Sequence, residues 1–160
     1  MKPEIGLLDK NRDAVVKILN TTLSDEMVLL VKTRNYHWNV TGPQFNDLHK
    51  FLDTQYEELN EIVDEVAERA RILGGMPFGT MGEFQKQARL KEHPGQHPSP
   101  KSMLSNLLSD HESVIRTLRA DLVICQNTHG DAGTSDFLTG LMEQHEKMAW
   151  MLRAFLEGDR

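Results

Sequence analysis

Four long stretches of helical periodicity are joined by connections of very unequal length, and that inequality constrains the fold more than any composition does. Apolar residues spaced at three and four mark a first segment from about Asp9 to Trp38 (Val15, Ile18, Leu19, Leu23, Met27, Leu30, Val31). A second runs through GPQFNDLHKFLDTQYEELNEIVDEVAERARILGG, with Pro43 expected in its first turn and Gly74-Gly75 ending it. A third spans about Pro100 to Asn127 and a fourth about Ser135 to Glu157. Only NVTG separates the first two and THGDAGT the last two, so each pair reads as an antiparallel hairpin. About 25 residues join the hairpins, enough to run the length of a bundle, and a short helix near Met81 to Leu90 fits inside that stretch.

Two helical hairpins with one long crossover have the connectivity of an all-α, ferritin-like four-helix bundle; an up-down bundle with a loose loop is the alternative. The length, 160 residues, suits one domain with a real core. Eighteen Lys and Arg against 24 Asp and Glu leave a formal charge of −6, which disfavours nucleic acid as the default partner and permits a cation-handling surface. No signal-like start and no apolar run near the ~20 residues of a membrane span are present, so a cytoplasmic protein is expected. The single Cys125 has no partner for an internal disulfide and reads as a small buried apolar residue.

The second segment carries His49, Asp53, Asp64 and Glu68. At about 100° per residue, with His49 at zero, the three carboxylates fall near 40°, 60° and 100°, roughly 150° from the mean of Leu48, Leu52, Leu59, Ile62, Val66 and Leu73. The stripe therefore cannot line its own bundle, and His49 and Asp64 lie about 22 Å apart along the axis, too far to share an ion. Two copies of the helix crossing antiparallel near Glu58 and Leu59 would bring His49 and Asp53 of one chain to Asp64 and Glu68 of the other, twice, with Tyr56, Asn60, Val63 and Ala67 facing the partner. Imidazole with carboxylate suits iron, manganese or zinc. A polar face that merely meets water is the plain alternative.

The motifs around this stripe, YHWNVTGPQF followed by LHKFLD, then DEVAERARILGG and HEKMAWMLRAFLEG, resemble the Dps family of dodecameric mini-ferritins along essentially the whole chain. The resemblance implies a ferroxidase centre of His37, His49 and Asp53 from one subunit with Asp64 and Glu68 from its two-fold mate. It also implies Fe(II) as substrate, hydrogen peroxide or oxygen as oxidant, ferric mineral stored in a hollow homo-dodecamer, and protection of DNA from oxidative damage. It further places Asp131 and Asp136 at an ion-entry pore, with Gly140 where some members carry another carboxylate. Trp38 and Trp150 match aromatic positions of the family, for which packing is the simpler role. An intra-bundle di-iron centre built on Glu-x-x-His is disfavoured, because that motif is missing from the chain.

His111 and His145 fall on the apolar stripes of the last two segments and read as hydrogen-bonded core histidines, with a metal site between them, should they face each other across the bundle, as the alternative; His93, His97 and His129 lie in loops. Many Dps proteins bind DNA through a lysine-rich tail, and nucleoid compaction is the alternative function; a metal-free scaffold is a third. Here the start offers Lys2, Lys10 and Arg12 against Glu4, Asp9 and Asp13, and the other end is only LEGDR. Lys86, Arg89 and Lys91 in the crossover are the remaining basic cluster.

Overall fold

The computed structural model describes residues 2–157; the Gly158, Asp159 and Arg160 of the terminal LEGDR lie outside the described residues. Its helices are α1 (Asp9–Asn39), α2 (Phe45–Ile72), the short α3 (Met81–Gln87), α4 (Pro100–Asn127) and α5 (Ala132–Glu157), with no strand among the described residues. α1 packs along α2 and α4 along α5; α1 also lies against α4 and α3. The architecture is therefore the ferritin-like bundle with a short helix in its crossover.

Three boundaries differ from the sequence reading, each for a local reason. Pro43 belongs to the α1–α2 turn and not to the first turn of α2: Gly42 has φ +105°, and Phe45 N–H bonds back to the Gly42 carbonyl before the helix begins. α3 stops at Gln87, short of Leu90, because the Arg89 and Leu90 N–H groups both bond the buried Asp25 carboxylate of α1. α5 starts three residues early, since Asp131 caps it by accepting from Thr134 N–H and Oγ1.

The end of α2 is where the two glycines matter. Gly74, at φ +83°, donates to the Arg71 carbonyl and Gly75 to the Ala70 carbonyl, which is the Schellman pattern. Arg12, itself buried, donates to the Leu73 carbonyl, and so ties the start of α1 to the end of α2. The core is built from the predicted stripes: Val15, Leu19 and Leu23 of α1, Leu48, Leu59 and Ile62 of α2, Leu107 and Leu118 of α4, and Leu138 and Leu152 of α5 are at most 2% exposed. Cys125 lies in it, and burial pushes its thiol up to about 12, so it stays protonated and inert. Trp38 and Trp150 do not pack inside the chain; they are 71% and 62% exposed.

A Cβ on Gly75 would stand 2.5 Å from both methyls of the buried Val16, whereas one on Gly79 meets nothing within 4 Å. Gly75→Ala is expected to lower stability by about 1–3 kcal/mol through overpacking. Gly79→Ala should stay near wild type in the same denaturant titration, and equal behaviour of the two would refute this account of the α2 terminus.

Candidate metal centre

The α1–α2 turn brings two histidines into register. His37 sits in the last turn of α1 and His49 in the second turn of α2. Their rings stack with centroids 3.8 Å apart and planes 19° from parallel. The Nδ1 of His37 lies 2.9 Å from the His49 carbonyl oxygen, and the Nδ1 of His49 lies 2.9 Å from the His37 carbonyl oxygen. A carbonyl only accepts, so each imidazole must hold its proton on Nδ1 and leave a lone pair on Nε2. The pair thus satisfies one of the orphan carbonyls at the end of α1 and presents two metal-ready nitrogens.

Asp53, one turn beyond His49, stands beside them: its Oδ1 is 4.0 Å from His37 Nε2. Tyr56 holds the edge of this group. Its ring meets His37 edge-on at 5.1 Å and lies under the Arg34 guanidinium at 5.0 Å. A hydrogen bond to Asp53 is the first cause raising the Tyr56 phenol above its ordinary value, so the hydroxyl stays a donor to that carboxylate. Phe45 stacks on the outer side of His49 at 5.0 Å. Tyr56, Arg34 and Phe45 were not singled out as site residues in the sequence; their signal is position, one turn or one hairpin register away from the histidines.

His37 is buried, His49 and Asp53 are half-buried, and Asp64 and Glu68 are exposed on the outer face of α2. α2 runs unbroken from Phe45 to Ile72, so Asp64 stays about 22 Å from His49 along the axis. One chain brings together His37, His49 and Asp53 and leaves Asp64 and Glu68 at the far end of the same face. Asn60, Val63, Asp64 and Ala67 line a shallow groove on that face. Among the described residues no three His, Cys, Asp or Glu side chains of one chain converge to hold an ion.

The two other acidic candidates part company. Asp136 is exposed near the start of α5. Asp131 is 4% exposed, and its carboxylate is taken up by Thr134 and by Arg69, 3.3 Å away. His111 and His145 face each other, Nδ1 to Nδ1 at 2.9 Å. Their partner Glu26, fully buried on α1, escaped the sequence reading although it lies between Leu23 and Leu30 on the apolar stripe.

The ring geometry is open to a direct check. In metal-free protein, above the titration range of imidazole, both His37 and His49 are expected to be Nδ1–H tautomers by nitrogen NMR of histidine-labelled material. An Nε2–H tautomer at either position would contradict the reciprocal carbonyl bonds.

Comparison with known proteins shows the family of the chain. A family model described as a ferritin-like domain matches residues 16–160. An uncharacterized low temperature-induced protein of Nostoc sp. is 52% identical over 96% of this chain and 86% of its own length. The DNA protection during starvation protein 2 of Bacillus anthracis is 38% identical, covering 89% of this chain and 96% of its own. Among solved structures, the DPS protein of Vibrio cholerae O1, described as a member of a broad superfamily of ferritin-like diiron-carboxylate proteins, superposes with a TM-score of 0.89 at 30% identity, covering 97% of this chain and 96% of that one. With a family match over most of its length and a helix-for-helix likeness to these structures, the chain belongs to the Dps family of ferritin-like proteins.

Proposed function

We propose that this protein is a ferroxidase and iron store, in which His37, His49 and Asp53 of one subunit and Asp64 and Glu68 of a two-fold mate bind Fe(II) and pass its electrons to hydrogen peroxide or oxygen. The observation that carries the reading is the pair of Nε2 lone pairs held beside Asp53 at one end of α2, with the exposed carboxylates of Asp64 and Glu68 at the other end of the same face. An antiparallel crossing of two α2 helices joins the halves into two identical centres. The likeness to a protein of the diiron-carboxylate superfamily supports iron as the substrate.

The chemistry follows from the donor set. Neutral imidazole accepts Fe(II), and anionic carboxylates favour the more highly charged Fe(III), so electron loss becomes easier at the centre. With peroxide, two ferrous ions each give one electron, the O–O bond breaks and two hydroxide ions result; pairing the electrons avoids release of a hydroxyl radical. Ferric product then passes to mineral inside a homo-dodecamer. Asp136 is the carboxylate left to line an entry pore, since Asp131 serves the α5 cap and Arg69. No helix among the described residues is long and apolar enough to cross a membrane, and we place the protein in the cytoplasm.

Asp64→Ala and His49→Ala subunits, each inactive alone, should complement when co-assembled. A mixed dimer keeps one complete centre of its two, so random mixing should restore about a quarter of the wild-type ferrous oxidation rate. No recovery in shells verified as mixed removes the shared-site assignment.

Protection of DNA is expected to come from removing ferrous iron and peroxide, not from coating. Lys2 and the buried Arg12 are both paired with Asp9, and Arg89 with Asp25 and Asp121, which leaves Lys10, Lys86 and Lys91 of the two basic clusters for phosphate. At −6 per chain a twelve-subunit shell carries about −72, which repels a polyanion. Plasmid DNA should survive ferrous iron plus peroxide in the presence of this protein and lose that protection with the His37→Ala, Asp64→Ala variant. Tight DNA retardation at physiological salt without divalent metal would instead favour nucleoid compaction.

A further inference from the structure

In the middle of the bundle, Glu26 of α1, His145 of α5 and His111 of α4 are 0%, 0% and 1% exposed. Eleven residues separate Glu26 from His37, about 16 Å along α1, so this cluster is remote from the inter-subunit centre. His111 Nδ1 and His145 Nδ1 are hydrogen-bonded at 2.9 Å. His145 Nε2 lies 3.0 Å from Glu26 Oε1 but is not aligned as a hydrogen bond.

Both Glu26 oxygens, the Nε2 atoms of His145 and His111, and the hydroxyl of Thr22 one turn before Glu26 are buried without a hydrogen-bond partner among the described residues. The other fully committed buried carboxylates behave differently. Asp25 receives two backbone N–H groups and the Arg89 guanidinium, and Asp131 receives Thr134 twice and Arg69. A buried carboxylate left without hydrogen-bond donors is costly, and buried orphan atoms such as these call for an explanation.

The distances suit a cation. Two ligand atoms about 2.1 Å from one divalent ion and at right angles are about 3.0 Å apart without pointing at each other. A histidine that gives Nε2 to a metal carries its proton on Nδ1 and needs an acceptor there, which His111 Nδ1 supplies.

We propose that Glu26 and His145 bind a single divalent transition-metal ion inside the bundle, with Thr22 and water as the oxygen donors that complete it and His111 orienting His145. The charged donors are one carboxylate and one imidazole, Glu26 Oε1 and His145 Nε2, 3.0 Å apart. A dinuclear cage is not built here: Met142 stands three residues before His145, and the chain has no Glu-x-x-His. The ion would link α1 of one hairpin to α5 of the other, a structural cross-link separate from iron oxidation.

The test uses whole assemblies carrying His37→Ala, His49→Ala, Asp64→Ala and Glu68→Ala, so that the inter-subunit centre is disabled. Expressed with cobalt, they should retain close to one Co(II) per chain with visible ligand-field absorption. Adding E26Q or H145Q should abolish it, whereas H111Q should weaken affinity about 10–100-fold. Zinc should raise the melting temperature of the parent but not of E26Q, and metal-free E26Q should unfold no earlier than the parent because it loses an unpartnered charge. Absence of cobalt from the parent, or its retention in both E26Q and H145Q, overturns the proposal. A parent indifferent to zinc, with a destabilised E26Q, would make the pair a simple buried ion pair and also overturn it. If E26Q does not assemble, nitrogen hyperfine coupling to copper substituted in the parent, lost in H145Q, decides.

Discussion

The commitment of one face of α2 to the core governs the rest of the molecule. Leu48, Leu52, Leu59, Ile62, Val66 and Leu73 are essentially fully buried, and each contributes on the order of 1.5–3 kcal/mol. With that face inward, rotation of the helix about its axis is set, and every other functional property of α2 follows. His49 and Asp53 are carried to the α1 side near the turn, and Asp64 and Glu68 are carried outward, with Asp64 about 22 Å from His49 along the axis. No local adjustment can bring the two ends together, because an unbroken α-helix of this length is a rigid rod. The proposed metal ligands are therefore split by the same burial that stabilises the chain.

Polar contacts then decide details that burial leaves free. The stack of His37 on His49 is held by two imidazole-to-carbonyl bonds across the hairpin, so both ring orientation and tautomer are set before any ion arrives. This preorganisation lowers the cost of binding. The crossover is fastened in a different way. Asp25, 2% exposed, receives the Arg89 side chain and two backbone N–H groups; outside the crossover, Lys32 of α1 reaches Asp110 of α4 at 2.6 Å. Charges fully committed inside the chain in this manner are not available to outside partners, and the same accounting applies to Arg12 and Arg69.

The exposed aromatic and apolar residues belong with that accounting. Trp150, Met151, Ala154 and Phe155 line an apolar depression near the end of α5, and Ile72 at the end of α2 and Met76 just after it are exposed. In a chain whose proposed centre is shared between subunits, apolar surface at helix ends is where association would gain free energy. The single chain therefore carries both unsatisfied ligands and uncovered apolar area.

Much of this was legible in the residues themselves. Helical periodicity and the short, long, short pattern of connections specified a four-helix bundle and left the ferritin-like crossover beside an up-down arrangement, since a 3.6-residue stripe can bury only one face and a connection of about 25 residues can either cross a bundle's length or loop loosely. The angle between the ligand stripe and the apolar stripe of α2 likewise required that His49 and Asp64 face away from the core and remain apart. What periodicity could not supply was the pairing of polar groups between helices. The reciprocal His37 and His49 bonds, the capping of α5 by Asp131, the early end of α3 at Asp25 and the burial of Glu26 against His145 join residues between 3 and more than 100 positions apart. Sequence patterns report which face a side chain occupies, and that much depends on helix geometry alone. Which polar atom meets which depends on helix register and rotation across the bundle, and those are settled only when the whole core packs.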